Sequence, residues 1–489
     1  MRRRDLLATT LGFVTLTGCI QGESTTDQGP TPVPVRHTST AGPPEVEWQR
    51  DYGAKGKPST HTPNGSPALY ANAVERAGGG GFVVAGENFG RGIDAYAQWL
   101  DADGRTTRIH TFGREHVNTR NVYQGDGINR ANGVARTSQG GVVVAGTQAR
   151  SQPTDSHDEV VGPMGWAAEL TAEGQVPWSF APDGQPRGSF ESAASTGDGR
   201  TALAGRRSTD QGLAGWLVVL DDGGSVTTET TLQSGVPERG QVAEGFRSVT
   251  RTGDDGFLLT GKHASGGWLV KTDDSGTTQW EHRFDGHSVI LMDAVETPDG
   301  AYLVTGRRTN PDQQATYSIT KSGTHPSDLV VRQVSADGDL GWTRTVDAGG
   351  NEIGTAITAT ADGGVLAAGT HHLNDREGVV AAKLDASGRP QWTETYLVDA
   401  SISGTDVVQA PDGGFVVTAR ELTVKLAGTG TASTDTGRET GSETDSAAES
   451  TPATGSTTAT GSEPATESTR ATGSTTSNRT GTEEADPYA

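Results

Sequence analysis

Between residues 45 and 427 the chain is marked out by short apolar runs, each opened by a turn rich in Asp or Gly and nearly always closed by Ala-Gly or Thr-Gly. The runs are Phe82-Val83-Val84-Ala85-Gly86, Val142-Val143-Val144-Ala145-Gly146, Thr201-Ala202-Leu203-Ala204-Gly205, Phe257-Leu258-Leu259-Thr260-Gly261, Tyr302-Leu303-Val304-Thr305-Gly306, Val365-Leu366-Ala367-Ala368-Gly369 and Phe415-Val416-Val417-Thr418-Ala419. Runs this short predict strands, not helices, and their unbroken apolarity predicts burial on both faces. A second apolar run follows each first one. Trp166, Trp216 and Trp268 open three of its copies, and Leu170, Leu220 and Thr272 lie four positions on, on the same strand face. Turns such as Asp273-Asp274-Ser275-Gly276 and Asp385-Ala386-Ser387-Gly388 end it, with Gly supplying the left-handed conformation a short hairpin needs. Trp178, Trp280, Trp342 and Trp392 each stand four residues after a turn glycine, where two other copies have Arg108 and Thr228. A residue repeated at one structural position predicts packing between repeats, not catalysis.

Four strands per copy give units near 71–113, 131–181, 190–233, 245–285, 288–347 and 353–397. A seventh starts near Gly404 and stops after its third strand, Thr423-Val424-Lys425-Leu426. The missing strand lies at the other end of the domain: Glu47-Trp48-Gln49-Arg50-Asp51-Tyr52-Gly53 matches Gln279–Asp285 and Gln391–Tyr396 in the placing of Trp and of the aromatic residue four positions on. The expected fold is therefore all-β, a seven-bladed β-propeller over 45–427 whose last blade is closed by the N-terminal strand. Closure removes the open edges that would otherwise pair with other chains. The repeat, Asp-Gly-Gly-Phe-Val-Val-x-Gly followed by Lys-Leu-Asp-x-x-Gly-x-x-x-Trp, resembles the secreted, quinoprotein-like propeller repeats of bacterial and archaeal surface proteins. That resemblance is specific for fold and weak for activity, because one propeller scaffold hosts many functions.

Composition adds a setting. The formal net charge is −22, and of 39 basic residues only seven are Lys. This acidic, Lys-poor balance resembles that of haloarchaeal proteins. In molar salt the Debye length falls to about 3 Å, which quenches surface repulsion. Nucleic acid is a poor candidate partner, since phosphate binding calls for a basic patch. Cys19 is the sole cysteine, which excludes an intrachain disulfide. It follows Leu16-Thr17-Gly18, which resembles a lipobox. Arg3 and Arg4, ahead of a short apolar stretch, resemble a twin-arginine export signal. The resemblance implies cleavage before Cys19, lipidation of that residue, export of the folded protein, and anchoring on the extracellular face of the cytoplasmic membrane.

The expected layout is a signal over 1–19, a disordered polar tether over 20–44, the propeller, and a disordered Ser/Thr-rich acidic tail over 428–489. Asn64 and Asn478 open glycosylation sequons.

Loop length points to a face. The long connections, 53–70, 114–130, 147–164 and 307–328, all join second to third strands or successive blades, so they share one face, and insertions clustered there mark a binding surface. Its candidate residues are Arg120 and Arg130, which with Arg114 and His116 could meet an anion; His157, Asp158 and Glu159, which with Asp155 could hold a cation; and His371 and His372, near Asp375 and Glu377. Adjacent histidines on an extended chain point to opposite sides, which makes joint ligation awkward. All these runs equally suit solvated loops. No cofactor is predicted, with Ca or another divalent metal the one metal chemistry these groups would suit. The expected function is a monomeric, lipid-anchored binding or scaffold module that takes an extracellular protein or glycan on the long-loop face. The alternative is an exported propeller enzyme, a quinoprotein-like oxidoreductase or one acting on glycans.

Overall fold

In a computed structural model the described residues are 33–35, 43–52, 68–89, 93–112, 128–153, 158–183, 187–233, 245–263, 266–285, 289–309, 327–373, 376–398 and 405–428. The signal over 1–19 and the tail that sequence places over 428–489, Gly428 excepted, lie outside them.

Seven antiparallel four-stranded blades follow one another around a channel, at 68–112, 128–180, 188–232, 245–285, 289–346, 351–398 and 406–426, the last joined by Val46–Asp51. In each blade the first strand lines the channel and the fourth lies outermost. Blades 1 and 2 also meet through one parallel bridge, Ile93 to Ile128. The closing strand pairs in register Val46 to Leu426, Trp48 to Lys425 and Asp51 to Leu422. Backbone bonds at both ends extend the seam, from the Tyr52 amide to the Glu421 carbonyl and from the Ala427 amide to the Glu45 carbonyl, each 2.8 Å.

Each blade interface has its own hydrophobic cluster. In blade 1, Val83 and Ala85 face blade 2, where they meet Val142 and Val144. Phe82 and Val84 face the other way, toward Ala410 and Val416 of blade 7. Alternate residues of one strand thus enter two separate cores, which is why the run is apolar at every position. The cluster between blades 7 and 1, with Trp48 and Tyr52 packed on it, makes the ring continuous.

The repeated glycine at the end of the run has a specific cause. The first strand of blades 1 to 6 carries a bulge, for example between Phe190 and Ser192, which presses a carbonyl onto the neighbouring strand. A Cβ at Gly86, Gly146 or Gly205 would lie 1.8, 1.8 or 1.9 Å from the carbonyl oxygen of Tyr70, Arg130 or Ser189. Blade 7 carries Ala419 at this place, and its described first strand begins only at Asp406, paired with Thr418.

The repeated tryptophan joins blades. The indole Nε1 of Trp48, Trp178 and Trp280 donates to the carbonyls of Ala102, Asp222 and Ala336 in the next blade, at 2.9, 3.0 and 2.9 Å. The ring lies on the turn glycine of that blade, so a Cβ at Gly104 would meet Trp48 at 2.6 Å. Arg108 serves where blade 1 lacks the Trp, donating to the Ala172 carbonyl at 2.6 Å.

Three of the seven lysines tie a turn to a strand within their own blade. Lys271, Lys383 and Lys425 are buried at equivalent positions and pair with Asp254, Asp362 and Asp412 of the neighbouring turn. Burial alone would raise the Asp254 carboxyl, but hydrogen bonds from Lys271, Thr252 and the Gly256 amide hold it at about 2.

Two sequence expectations need correction. Val33–Val35, inside the expected tether, forms a fifth strand parallel to Leu340–Val346 of blade 5, since an outermost strand still offers unpaired backbone groups. The rest of the tether lies outside the described residues, save 43–44. The interval 147–164 is not one long loop: the strands Val142–Pro153 and Asp158–Leu170 stay paired as far as Pro153 and Asp158, leaving 154–157 as the connection.

Candidate functional site

The two faces of the ring differ. On one, seven turns join first to second strands and six join third to fourth, and every one of the thirteen is closed by a backbone bond from residue i to residue i+4, such as Thr360 amide to Gly364 carbonyl at 2.9 Å. Side chains reinforce them: Asp385 Oδ1 accepts from the Ser387 and Arg389 amides at 2.9 and 2.8 Å. The Asp-x-x-Gly motif is thereby accounted for as turn structure. The connections 53–67, 113–127 and 310–326, which lie outside the described residues, join strands that end on the opposite face, as does 154–157.

The channel between the first strands has a volume of about 480 Å³. A polar girdle lines it. Asp293 of blade 5 accepts from Ser248 Oγ at 2.5 Å, from its neighbour Ala294 N at 2.9 Å, and from Ile357 N of blade 6 at 2.9 Å. Asp406 of blade 7 accepts from Val74 N of blade 1 and from Val407 N, both at 2.8 Å. Asn72 and Asn132 donate across the next two interfaces, to the Ala131 and Phe190 carbonyls at 2.9 and 2.8 Å. Each polar side chain therefore ties its blade to a neighbour.

Burial pushes Asp406 up to about 7, the Val74 and Val407 amides opposing the rise and the charges of Asp293 and Glu75 adding to it. Burial raises Asp293 as well, against the hydrogen bonds it accepts. A raised carboxyl binds its proton more tightly in the folded chain than in the unfolded one, so its contribution to stability is complete at acid pH and is lost as pH rises through about 7. The melting temperature at constant salt should therefore fall between about pH 4 and 7 and level off above it, and Asp406→Asn should flatten that slope while lowering the melting temperature at acid pH. An unchanged slope in the variant would refute the assignment.

Cations gather at the mouth. The position just after the strand glycine is Arg206, Lys262 and Arg307 in blades 3, 4 and 5, and Arg247 lines the channel between the first two. Arg206 and Arg247 share Glu191 at 3.7 and 3.9 Å. Lys262 and Arg307 have no acidic partner among the described residues. Burial, and then the charges of Arg307 and Arg247, lower the Lys262 ammonium from its usual range, and burial lowers Arg307. On a chain of net charge −22 this is a local reversal of sign. Sequence reading missed these residues because each repeat was followed only as far as its glycine; the next position carries the signal.

Of the residues singled out from sequence, Arg130 is exposed at the same mouth, its Nε 3.4 Å from Glu87 Oε1. His371 is buried in blade 6, its Nδ1 2.8 Å from Glu352 Oε1. His372 points to the other side, with Nε2 3.6 Å from Glu377 Oε1. The two histidines are thus not brought together. Asp158 and Glu159 lie in the blade 2 hairpin, but their side chains are not described. Arg3, Arg4, Cys19, Asn64, Arg120, His157 and Asn478 lie outside the described residues.

The chain is thus a seven-bladed β-propeller with a closed seam and a group of cations, Arg206, Arg247, Lys262 and Arg307, near the channel. No protein-family model matches the sequence, and no curated protein matches it. Solved structures similar to it include Sqt1 of Chaetomium thermophilum bound to the N-terminus of ribosomal protein L10, at 12% identity and a TM-score of 0.43, covering 73% of this chain and 97% of that one. A polysaccharide lyase of family PL25, an ulvan lyase, is similar at 8% identity and a TM-score of 0.45, covering 78% and 95%. BBS1N in complex with ARL6DN is similar at 9% identity and 0.41, covering 78% and 98%. At these identities and scores the likenesses carry no statement about what this chain binds or does.

Proposed function

We propose that the protein is a non-enzymatic binding module, exported and held at the outer face of the cytoplasmic membrane through a lipid on Cys19. Its partner docks on the long-loop face and presents carboxylate or sulfate groups to Arg247, Lys262 and Arg307. The observation that carries this reading is the coincidence on one face of every long connection with a cationic mouth on an otherwise acidic chain. Arg247 is partly balanced by Glu191, but Lys262 and Arg307 have no acidic partner among the described residues, and an anionic partner relieves their mutual repulsion.

The channel carboxyls could suggest acid–base catalysis, since Asp406 is raised to about 7. Both its oxygens, however, are engaged, one by the Val74 amide of another blade and one by the amide of the next residue, and Asp293 is held in the same way by Ile357 and Ala294. Groups so engaged read as structural pins.

A photo-crosslinking residue at Arg308, beside the mouth, and another at Asp274, on the tight-turn face, would test the docking face in intact cells. A discrete adduct should form from position 308 and not from 274, and Lys262→Glu should reduce its yield roughly tenfold, the scale of losing one close charge pair. An adduct from 274 alone, or equal adducts from both, would overturn the proposal.

A further inference from the structure

We infer that a divalent cation, Ca²⁺ by the chemistry of its ligands, binds at the junction of blades 5 and 6 on Asp328, Asp347 and Glu352. The three come from separate strands or strand ends: Asp328 is the second residue of Ser327–Val334, Asp347 directly follows Leu340–Val346, and Glu352 is the second residue of Asn351–Ala359. One carboxylate oxygen from each lies within 4.8 Å of the others. Ca²⁺ holds its oxygens at roughly 2.3–2.6 Å, so ligands on opposite sides of one ion stand about 5 Å apart, and these three fit around a single ion.

Burial separates this cluster from ordinary surface acid. Asp328 is 6% and Glu352 0% exposed. Like charges this close and out of water repel strongly unless a cation lies among them. Glu352 also shows where one would sit. Its Oε1 accepts from His371 Nδ1 at 2.8 Å and from the Gly350 amide at 2.9 Å, while Oε2 is buried with no hydrogen-bond donor among the described residues. A buried carboxylate oxygen left unmatched is costly, and a metal ion is the partner that satisfies it.

The cluster is held in place before an ion arrives. His371 and Gly350 orient Glu352, and the Gly349 amide donates to Asp347 Oδ1 at 2.9 Å. A histidine bonded to the far oxygen of a ligating carboxylate is an outer-shell support. Three hard oxygen donors suit Ca²⁺ over softer metals, with water and backbone carbonyls completing six to eight ligands. The ion would stitch the third and fourth strands of blade 5 to the first strand of blade 6.

The test uses the full chain at constant high salt, stripped with a chelator, then titrated with Ca²⁺ alone by calorimetry and by thermal unfolding. One tight site per chain and a melting temperature several degrees higher are expected. Asp347→Asn, at a partly exposed position that tolerates the change, should weaken that site roughly tenfold or more, as should Glu352→Gln, while Asp222→Asn at an exposed turn should leave it unchanged. A melting temperature indifferent to Ca²⁺ would overturn the inference, as would wild-type affinity in Asp347→Asn, which would put the binding elsewhere on the acidic surface. Asp347→Asn decides alone if Glu352→Gln fails to fold.

Discussion

A chain lacking residues 43–52 should not accumulate as a folded monomer. Without Val46–Asp51 the third strand of blade 7, Leu422–Leu426, becomes an edge, and all five of its residues are buried in the intact ring. Unpaired and apolar, such an edge recruits other chains. The truncation also removes Glu47, 2.7 Å from the ammonium of Lys425, so that a cation buried to 6% exposure keeps only Asp412. It removes the indole of Trp48 from the blade 1 turn, together with the bonds from Arg50 to the Gly104 carbonyl and Thr106 Oγ1 at 2.6 and 2.8 Å. Trp48→Ala alone should cost about 2 kcal/mol, less than a fully buried Trp because this one is half-exposed. Size-exclusion chromatography of the truncated chain should show aggregate, and adding a peptide of residues 43–52 should restore monomer by strand addition. A truncated chain that runs as a monomer with an unchanged melting temperature would mean that the ring closes without this seam.

Gly205→Ala should be among the most damaging single methyls in the ring. The added Cβ would stand 1.9 Å from the Ser189 carbonyl oxygen and 2.9 Å from Phe190 Cα. Both are backbone atoms of the neighbouring strand, which can retreat only by breaking the pairing of Phe190 with Gly205 and disturbing the stack of Phe190 on Trp216, whose ring centroids are 4.5 Å apart. Overpacking of this kind should cost at least about 3 kcal/mol. Ala419→Gly, at the matching place in blade 7, should cost only about 0.5–1 kcal/mol, the ordinary loss for a strand glycine. Chemical denaturation at constant salt compares the two. Equal effects would show that the bulge, and not a general dislike of change in the second strand, has been misread as the cause.

The seam and the glycine also mark how far the sequence could be followed. Blade number, the closing strand and the short turns were legible because each is written locally: a strand between two cores must be apolar at every position, and a hairpin of this kind needs its Asp and Gly. The repeated Trp was legible as a packing residue, though not its bond to the next blade's turn. The chemistry was less visible. Arg206, Lys262 and Arg307 occupy one position in three repeats, so a comparison carried one residue further would have found them.

His371 was noticed as a surface candidate beside His372, yet alternation put it inside the blade, against Glu352. The pairing of Asp406 with the Val74 amide joins residues 332 positions apart, and the grouping of Asp328, Asp347 and Glu352 depends on three strands meeting at a blade junction. The sequence by itself determined the repeat, its count and the joining of its ends, because those follow from periodicity and from which residues must be buried. Only the tertiary structure decided which carboxylates face one another and which cations share a mouth, because closing the ring sets distances between residues that no local pattern relates.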